Sequence, residues 1–129
     1  MPYGTDDAEL EALAHEAIGA AIEVHRVLGP GLKEEVYRNA LCIELDARGI
    51  PYERSKEFTV EYRGRFVGKG RIDLLLRGIL VLELKAVIML VEAHRGQALY
   101  YLRACNLKLG LLMNFHAAVM KDGIRRVVN

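Results

Sequence analysis

The chain has 129 residues, of which 52% are hydrophobic and 27% charged, a size and composition typical of one compact globular domain with a real core. Eighteen basic residues face seventeen acidic ones, so the net charge of +1 excludes a strong overall attraction to nucleic acid and requires any such contact to be local. The two cysteines, Cys42 and Cys105, lack metal-ligand spacing, so we expect reduced thiols in a cytoplasmic protein. The chain shows no apolar signal region and no apolar run of roughly 20 residues, so we expect neither secretion nor a membrane segment.

Two amphipathic helices are predicted in the first part of the chain. Apolar residues recur at helical spacing over about 5–28, and Thr5 is in the position of an N-cap while Gly29 ends the pattern. A second helical pattern covers 34–45 and stops before Gly49. The N-terminal third is therefore expected to be helical.

The pattern then changes to alternating and continuous apolar runs, which are typical of strands. We predict strands at 58–62, 66–76 and 79–87, a helix at 92–104, and further strands at 108–115 and 124–128. The order α-α-β-β-β-α-β, with a final strand, indicates a mixed β-sheet flanked by helices, an α+β or α/β fold. The helix that joins the third and fourth strands allows a parallel crossover.

Two acids and a lysine lie inside the most apolar hairpin of the chain. If its turn is centred on Gly78, Asp73 and Glu83 are equally far from the turn and face each other. Like charges in apolar surroundings are costly unless they are paired or coordinate a cation. Lys85 shares a face with Glu83 because side chains alternate along a strand. Two carboxylates and an amine at one point predict a Mg²⁺ or Mn²⁺ centre, where Lys85 orients water or stabilises charge.

A simpler interpretation of the same residues stays open. Glu83 and Lys85 can form an ordinary solvated pair, and Asp73 can belong to a turn, because a short Glu-x-Lys motif recurs often by chance. The apolar flanks and the cross-strand register with Asp73 are what favour the functional interpretation.

A longer series of motifs extends this hypothesis. The segment 31–37 matches a GxxExxY signature, and other landmarks follow it in order. They are Asp73 in Ile72-Asp73-Leu74-Leu75, Glu83-Leu84-Lys85-Ala86, Gln97 with Tyr101-Leu102-Arg103, and Gly110-Leu111-Leu112-Met113-Asn114-Phe115. With these landmarks, the stretch from about 18 to 115 resembles the small bacterial GxxExxY proteins of the PD-(D/E)XK nuclease superfamily.

The resemblance implies a restriction-endonuclease-like core and a single nuclease-like domain over residues 1–129. It implies that Asp73 and Glu83 hold the metal, that the backbone carbonyl of Leu84 completes its shell, and that Lys85 is the catalytic lysine.

The resemblance also gives roles to two residues outside the hairpin. Glu34 would approach the same ion directly or through water, although an acid in the first turn of a helix equally suits the helix dipole. Gln97 would support Lys85 or the substrate phosphate, whereas on its own it would be assigned to solvent.

The function predicted in this way is metal-dependent hydrolysis of phosphodiester bonds, in DNA with RNA also open. The alternative is a nucleic-acid-binding or protein-interaction module with weak or no catalysis, which the near-neutral charge favours. The basic run 68–71 before Asp73 either aids phosphate contact or solvates a sheet edge. The apolar run 86–90 after Lys85 suits contact with a partner or a homodimer.

Overall fold

A computed structural model describes residues 7–129, which form three α-helices, one 3₁₀ helix and five strands. The helices are α1 (Ala8–Leu28), α2 (Glu34–Ala47) and α3 (Glu92–Cys105), and the 3₁₀ helix is Met120–Gly123. The strands are β1 (Tyr52–Tyr62), β2 (Arg65–Leu76), β3 (Leu80–Lys85), β4 (Leu109–Asn114) and β5 (Ile124–Val128).

The ends of α1 are set by local chemistry. Asp7 is the N-cap, because its side chain accepts a hydrogen bond from the Leu10 N–H at 3.0 Å. Thr5, the predicted N-cap, lies outside the described residues. Gly29 ends the helix with φ 69°, a left-handed conformation that glycine adopts without strain.

The five strands form one mixed sheet in the order β1-β2-β3-β4-β5. The first three strands make an antiparallel meander, β3 and β4 are parallel, and β5 returns antiparallel to β4. The predicted hairpin register is correct: Leu74 pairs with Leu82 and Leu76 with Leu80, on either side of a turn that contains Gly78. Helix α3 is the parallel crossover that the sequence allowed.

Each face of the sheet packs on different helices. Leu82 and Leu84 of β3 belong to the core shared with α1 and α2, whereas Val81 belongs to a smaller core shared with α3. Successive β3 side chains therefore enter opposite cores, as strand geometry requires. Glu83 and Lys85 follow Val81 by two and four residues, so their side chains lie on the same side of the sheet, facing α3.

Two strand boundaries differ from the prediction by more than one residue. β1 begins at Tyr52 rather than residue 58, because its polar first half is an exposed edge strand that pairs through its backbone with β2. An edge strand needs no apolar pattern, so apolar periodicity cannot locate this half of β1. β3 ends at Lys85 rather than residue 87, because the parallel pairing stops at Lys85 and Asn114.

Cys42 is buried and Cys105 half-buried, and both are free thiols. Over residues 7–129, none of the helices combines the length and apolar character needed to cross a lipid bilayer.

Candidate active site

The β2–β3 ladder ends at Leu74 and Leu82, and Asp73 and Glu83 lie at its open end. The Asp73 N–H donates to Glu83 Oε1 at 3.1 Å, and the Leu84 N–H donates to Asp73 Oδ2 at 2.9 Å. Carboxylate oxygens thus replace the carbonyls that would have continued the ladder. The structure brings these two predicted residues side by side.

Asp73 lies at an irregularity of β2. Residues two apart on a regular strand face the same side, yet Ile72 packs in the α3 core and Leu74 in the α1/α2 core. On the neighbouring strand, Ser55 has a left-handed φ of 54°, and the β1–β2 pairing skips Ser55 and Asp73. The backbone therefore turns at Asp73, and its N–H is directed to a side chain instead of a strand.

Glu83 is a charged residue buried almost completely, with 3% of its surface exposed. Burial is the main cause that raises its pKa to about 8, and the negative charge of Asp73 adds to it. The hydrogen bond from the Asp73 N–H and the charge of Lys85 oppose the shift. The carboxyl of Glu83 therefore ionises with difficulty near neutral pH unless a cation is close.

Lys85 is held beside this pair by α3. Its Nζ donates to Gln97 Oε1 at 3.1 Å, and the side chain of Gln97 interacts with that of Tyr101, one helical turn further on. Burial and the charge of Glu83 raise the pKa of Tyr101, whose ring packs edge-on against Phe58 at 5.1 Å between centroids. The predicted residues Lys85 and Gln97 are thus in direct contact.

Glu34 reaches the site through an arginine. Arg38 Nη2 lies 2.8 Å from Glu34 Oε1 and 3.6 Å from Asp73 Oδ1. In the described part of the chain, Arg38 Nε is buried without a hydrogen-bond partner. Glu34 and Asp73 therefore share one guanidinium group.

The connector between α1 and α2 explains the GxxExxY spacing. Gly31 has φ 106°, which a side chain would strain. The Tyr37 hydroxyl donates to the Gly29 carbonyl at 2.6 Å and accepts from the Leu32 N–H at 3.0 Å, while its ring stacks on Phe115 at 4.7 Å. Gly31 and Tyr37 thus fix the position of the first turn of α2, which carries Glu34.

The family model of the PD-(D/E)XK nuclease superfamily matches residues 11–127. The chain belongs to this superfamily. No curated protein matches it. The crystal structure of SSO0001 is similar in fold, with TM-score 0.52 and 21% identity over 71% of this chain and 46% of that one. The chain thus spans about half the length of SSO0001.

The fold of the superfamily and the residues of its motif both have counterparts in this chain. The five-stranded mixed sheet flanked by helices is a restriction-endonuclease-like PD-(D/E)XK core. Glu83-Leu84-Lys85 matches the letters (D/E)XK and Asp73 the preceding D. Ile72 stands where the motif has proline, and its side chain is fully buried in the α3 core.

The donor set at the open end of the PD-(D/E)XK sheet suits a hard divalent cation. Over residues 7–129, no group of three or more His, Cys, Asp or Glu side chains converges as metal ligands do, and the two carboxylates in this place are those of Asp73 and Glu83. Mg²⁺ is commonly bound by one or two carboxylates while it keeps several waters. The residues present therefore fit such an ion, and the buried Glu83 carboxyl gains most from it.

Three residues that support this site were given no role from the sequence, although Tyr101 and Asn114 stand in two of the landmarks. Arg38 and Tyr101 each follow a predicted site residue, Glu34 and Gln97, by four positions, so helical spacing was the available signal. Asn114 is buried at the end of β4.

Asn114 holds the chain just after Lys85. Its Nδ2 donates to the Val87 carbonyl at 2.9 Å, and its Oδ1 accepts from the Val87 N–H at 3.1 Å. The sequence signal for Asn114 is an amide residue at the end of an otherwise apolar strand.

Proposed function

We propose that this protein is a Mg²⁺- or Mn²⁺-dependent nuclease that hydrolyses phosphodiester bonds in DNA, and that it is one of the GxxExxY proteins of its superfamily. The observation that carries the proposal is the contact between Asp73 and the buried Glu83. Two carboxylates in this position repel each other, and the arrangement is costly unless a cation compensates it.

In this proposal Asp73 and Glu83 hold the ion. Because a strand residue directs its N–H and C=O to the same edge, the Leu84 N–H contact with Asp73 supports the Leu84 carbonyl as a third ligand. Glu34 would contribute through water, as its bond to Arg38 keeps it near Asp73. When bound, the ion supplies a water of lowered pKa and a positive charge for the phosphate.

Lys85 is proposed as the catalytic amine. Its ammonium group has three N–H donors, and Gln97 accepts one of them. The other two can donate to the attacking water and to a phosphate oxygen, on the side of the sheet that Glu83 faces. Gln97 would keep the amine pointed at the reacting atoms.

A binding module without catalysis is the second candidate. Arg38 already places a positive charge 3.6 Å from Asp73, and the net charge of the chain is only +1. Both observations suit a site that binds a partner without cutting it.

Cleavage assays decide between the two. Plasmid, linear duplex and single-stranded DNA are incubated with Mg²⁺ or Mn²⁺, and Lys85→Ala is expected to lose about 100-fold or more of the rate. Lys121→Ala removes an exposed lysine outside the site and is the matched control. If the wild type binds Mn²⁺ but cuts none of the substrates, or if Lys85→Ala cuts equally well, the nuclease proposal is wrong for those substrates.

Three properties stay predictions from the sequence. They are the single domain over residues 1–129, a homodimer and a cytoplasmic location. The exposed Ile88 and Met89, 90% and 68% accessible, are the surface to test for a dimer contact.

A further inference from the structure

A groove of about 510 Å³ opens between the start of α3 and strand β5. Leu90, Val91 and Leu112 give it apolar walls, and Arg95 and Arg125 line it as well. An apolar surface bordered by arginines suits a ligand that is partly apolar and partly anionic.

The groove is connected to the candidate active site by the sheet register. Glu83 pairs with Leu112 on β4, and Leu112 pairs with Arg125 on β5. Directly paired residues face the same side of a sheet, so these three form one row on the α3 side. Neighbouring strands are about 4.8 Å apart, which places the Cα atoms of Glu83 and Arg125 about 10 Å from each other.

The arginines of the groove are held by weak or local contacts. Arg95 is paired with Glu92 at 3.3 Å, with side chains 50% and 84% exposed, and pairs this exposed contribute little. Arg125 donates to the carbonyls of Asp122 and Ile124 at 2.7 and 3.0 Å. Both arginines can exchange these contacts for a phosphate.

When the other charged residues that line the groove are included, its net charge is still positive. Arg126 is bonded to Glu11 at 2.6 Å, so that charge is compensated. Glu92 is the one acidic residue among the lining residues, against Arg95 and Arg125. The groove is therefore complementary to an anion.

We propose that this groove binds the nucleic-acid strand beside the bond that is cut, with phosphates on Arg95 and Arg125 and a sugar or base on the apolar walls. The proposal rests on the proposed nuclease function and adds a substrate subsite to it. Guanidinium groups match phosphate in shape and charge and do not by themselves read sequence.

Fluorescence anisotropy with labelled duplex and single-stranded oligonucleotides tests the groove. Binding is measured in EDTA, so that nothing is cut and no added metal joins the carboxylates to a phosphate. Arg95→Ala and Arg125→Ala are each expected to raise Kd about tenfold, because a charge-assisted hydrogen bond is lost. The slope of log K against log salt should fall by about 0.9 on duplex or 0.7 on single strands for each arginine.

Two further variants control the experiment. Arg103→Ala removes an exposed arginine from the same helix outside the groove and should leave Kd and the salt slope unchanged. Arg125→Lys keeps the charge and should restore most of the slope, which separates loss of phosphate contact from loss of the local bonds to Asp122 and Ile124.

The outcomes distinguish failure of the groove from failure of the nuclease proposal. If the wild type binds and both alanine variants behave like Arg103→Ala, the groove proposal is overturned and the proposed activity is untouched. If the alanine variants bind weakly while Lys85→Ala still cuts, the groove stands and the catalytic assignment is wrong. If the variants change only the sedimentation of the protein, the groove is a contact with a second copy and the proposal is overturned.

Discussion

Asp73 and Glu83 each complete the hydrogen bonding of the other's strand. The Asp73 N–H donates to the Glu83 carboxylate at 3.1 Å, and the Asp73 carboxylate accepts from the N–H of Leu84, the next residue after Glu83. The contacts that close the fold at this point are therefore the same contacts that position the two acids. Substitution at either acid is expected to change both stability and metal binding.

Asp73→Asn should remove most of the stabilisation by Mn²⁺. At 100 times its Kd, a ligand that binds only the folded state stabilises a protein by about 2.7 kcal/mol, which is roughly 10 °C in Tm for a chain of this size. Asparagine keeps the size of the side chain and removes its charge. Thermal melts with and without Mn²⁺ measure the effect.

Asp122→Asn is the control for this experiment, since it neutralises an exposed acid in the 3₁₀ helix. It should retain the full wild-type shift. An equal Mn²⁺ shift in Asp73→Asn would show that the ion binds elsewhere.

The raised pKa of Glu83 predicts that the metal-free protein loses stability as the pH rises. Its pKa increases from the ordinary value of 4.5 to about 8 on folding, so the folded state binds the extra proton between these values. The contribution is fully present below about pH 4.5 and is lost as the pH rises to about 8. A shift of this size corresponds to at most about 5 kcal/mol.

Urea unfolding in EDTA across this pH range checks the sign, with Glu83→Gln as the matched variant. Glutamine cannot ionise, so its free energy of unfolding should exceed that of the wild type increasingly as the pH rises. Parallel curves for the two proteins would contradict the shifted pKa. Mn²⁺ should reduce the loss in the wild type, because it favours the ionised carboxylate.

Much of the fold could be predicted because its pattern is local. Apolar periodicity located the three helices and the buried strands, and the apolar runs on both sides of Gly78 gave the register that brings Asp73 to Glu83. The first half of β1 could not be found this way. Its residues are exposed, and only the backbone of β2 makes them a strand.

The candidate site was predictable where residues belong to one hairpin. The contact of Lys85 with Gln97 joins elements separated in sequence, so the sequence suggested it only through family resemblance. Arg38 was missed because its partner Asp73 lies on another element, and an i, i+4 pair with Glu34 is common on helix surfaces. Side-chain contacts between distant elements depend on packing that no short motif contains.

Arg38→Met should weaken the metal-free protein and strengthen its response to Mn²⁺. Arg38 places its charge between Glu34 and Asp73, at 2.8 and 3.6 Å from their oxygens. Without Arg38 the two acids lose a partner, which should lower the free energy of unfolding of the metal-free protein by about 1–3 kcal/mol. A cation bound at Asp73 is then no longer repelled by a neighbouring positive charge. The Mn²⁺-induced rise in Tm is expected to exceed that of the wild type.

Arg48→Met is the control for this change. Arg48 forms a comparable pair with Glu44 at 2.9 Å, outside the site. Arg48→Met should change the Mn²⁺-induced rise in Tm only slightly. A smaller Mn²⁺ shift in Arg38→Met than in the wild type would instead mean that Arg38 holds Asp73 in the geometry that binds metal.

Two glycines of β2 should respond differently to alanine. A Cβ at Gly70 would lie against the ring of Phe58, within 2.9 Å of Cε1, whereas a Cβ at Gly68 would meet nothing within 4 Å. Phe58 cannot move freely because it packs against Tyr100 and Tyr101. Gly70→Ala is therefore expected to cost about 1–3 kcal/mol, and Gly68→Ala to be neutral or slightly stabilising.

Urea unfolding of both variants checks this difference, and the Mn²⁺ melt adds a functional readout. A displaced Phe58 would push on Tyr101, whose partner Gln97 holds Lys85, so Gly70→Ala should also alter the Mn²⁺ response. Equal stability of the two variants would mean that the Phe58 ring does not cover Gly70. A destabilised Gly70→Ala with a normal Mn²⁺ response would mean that the aromatic cluster supports the sheet without positioning the site.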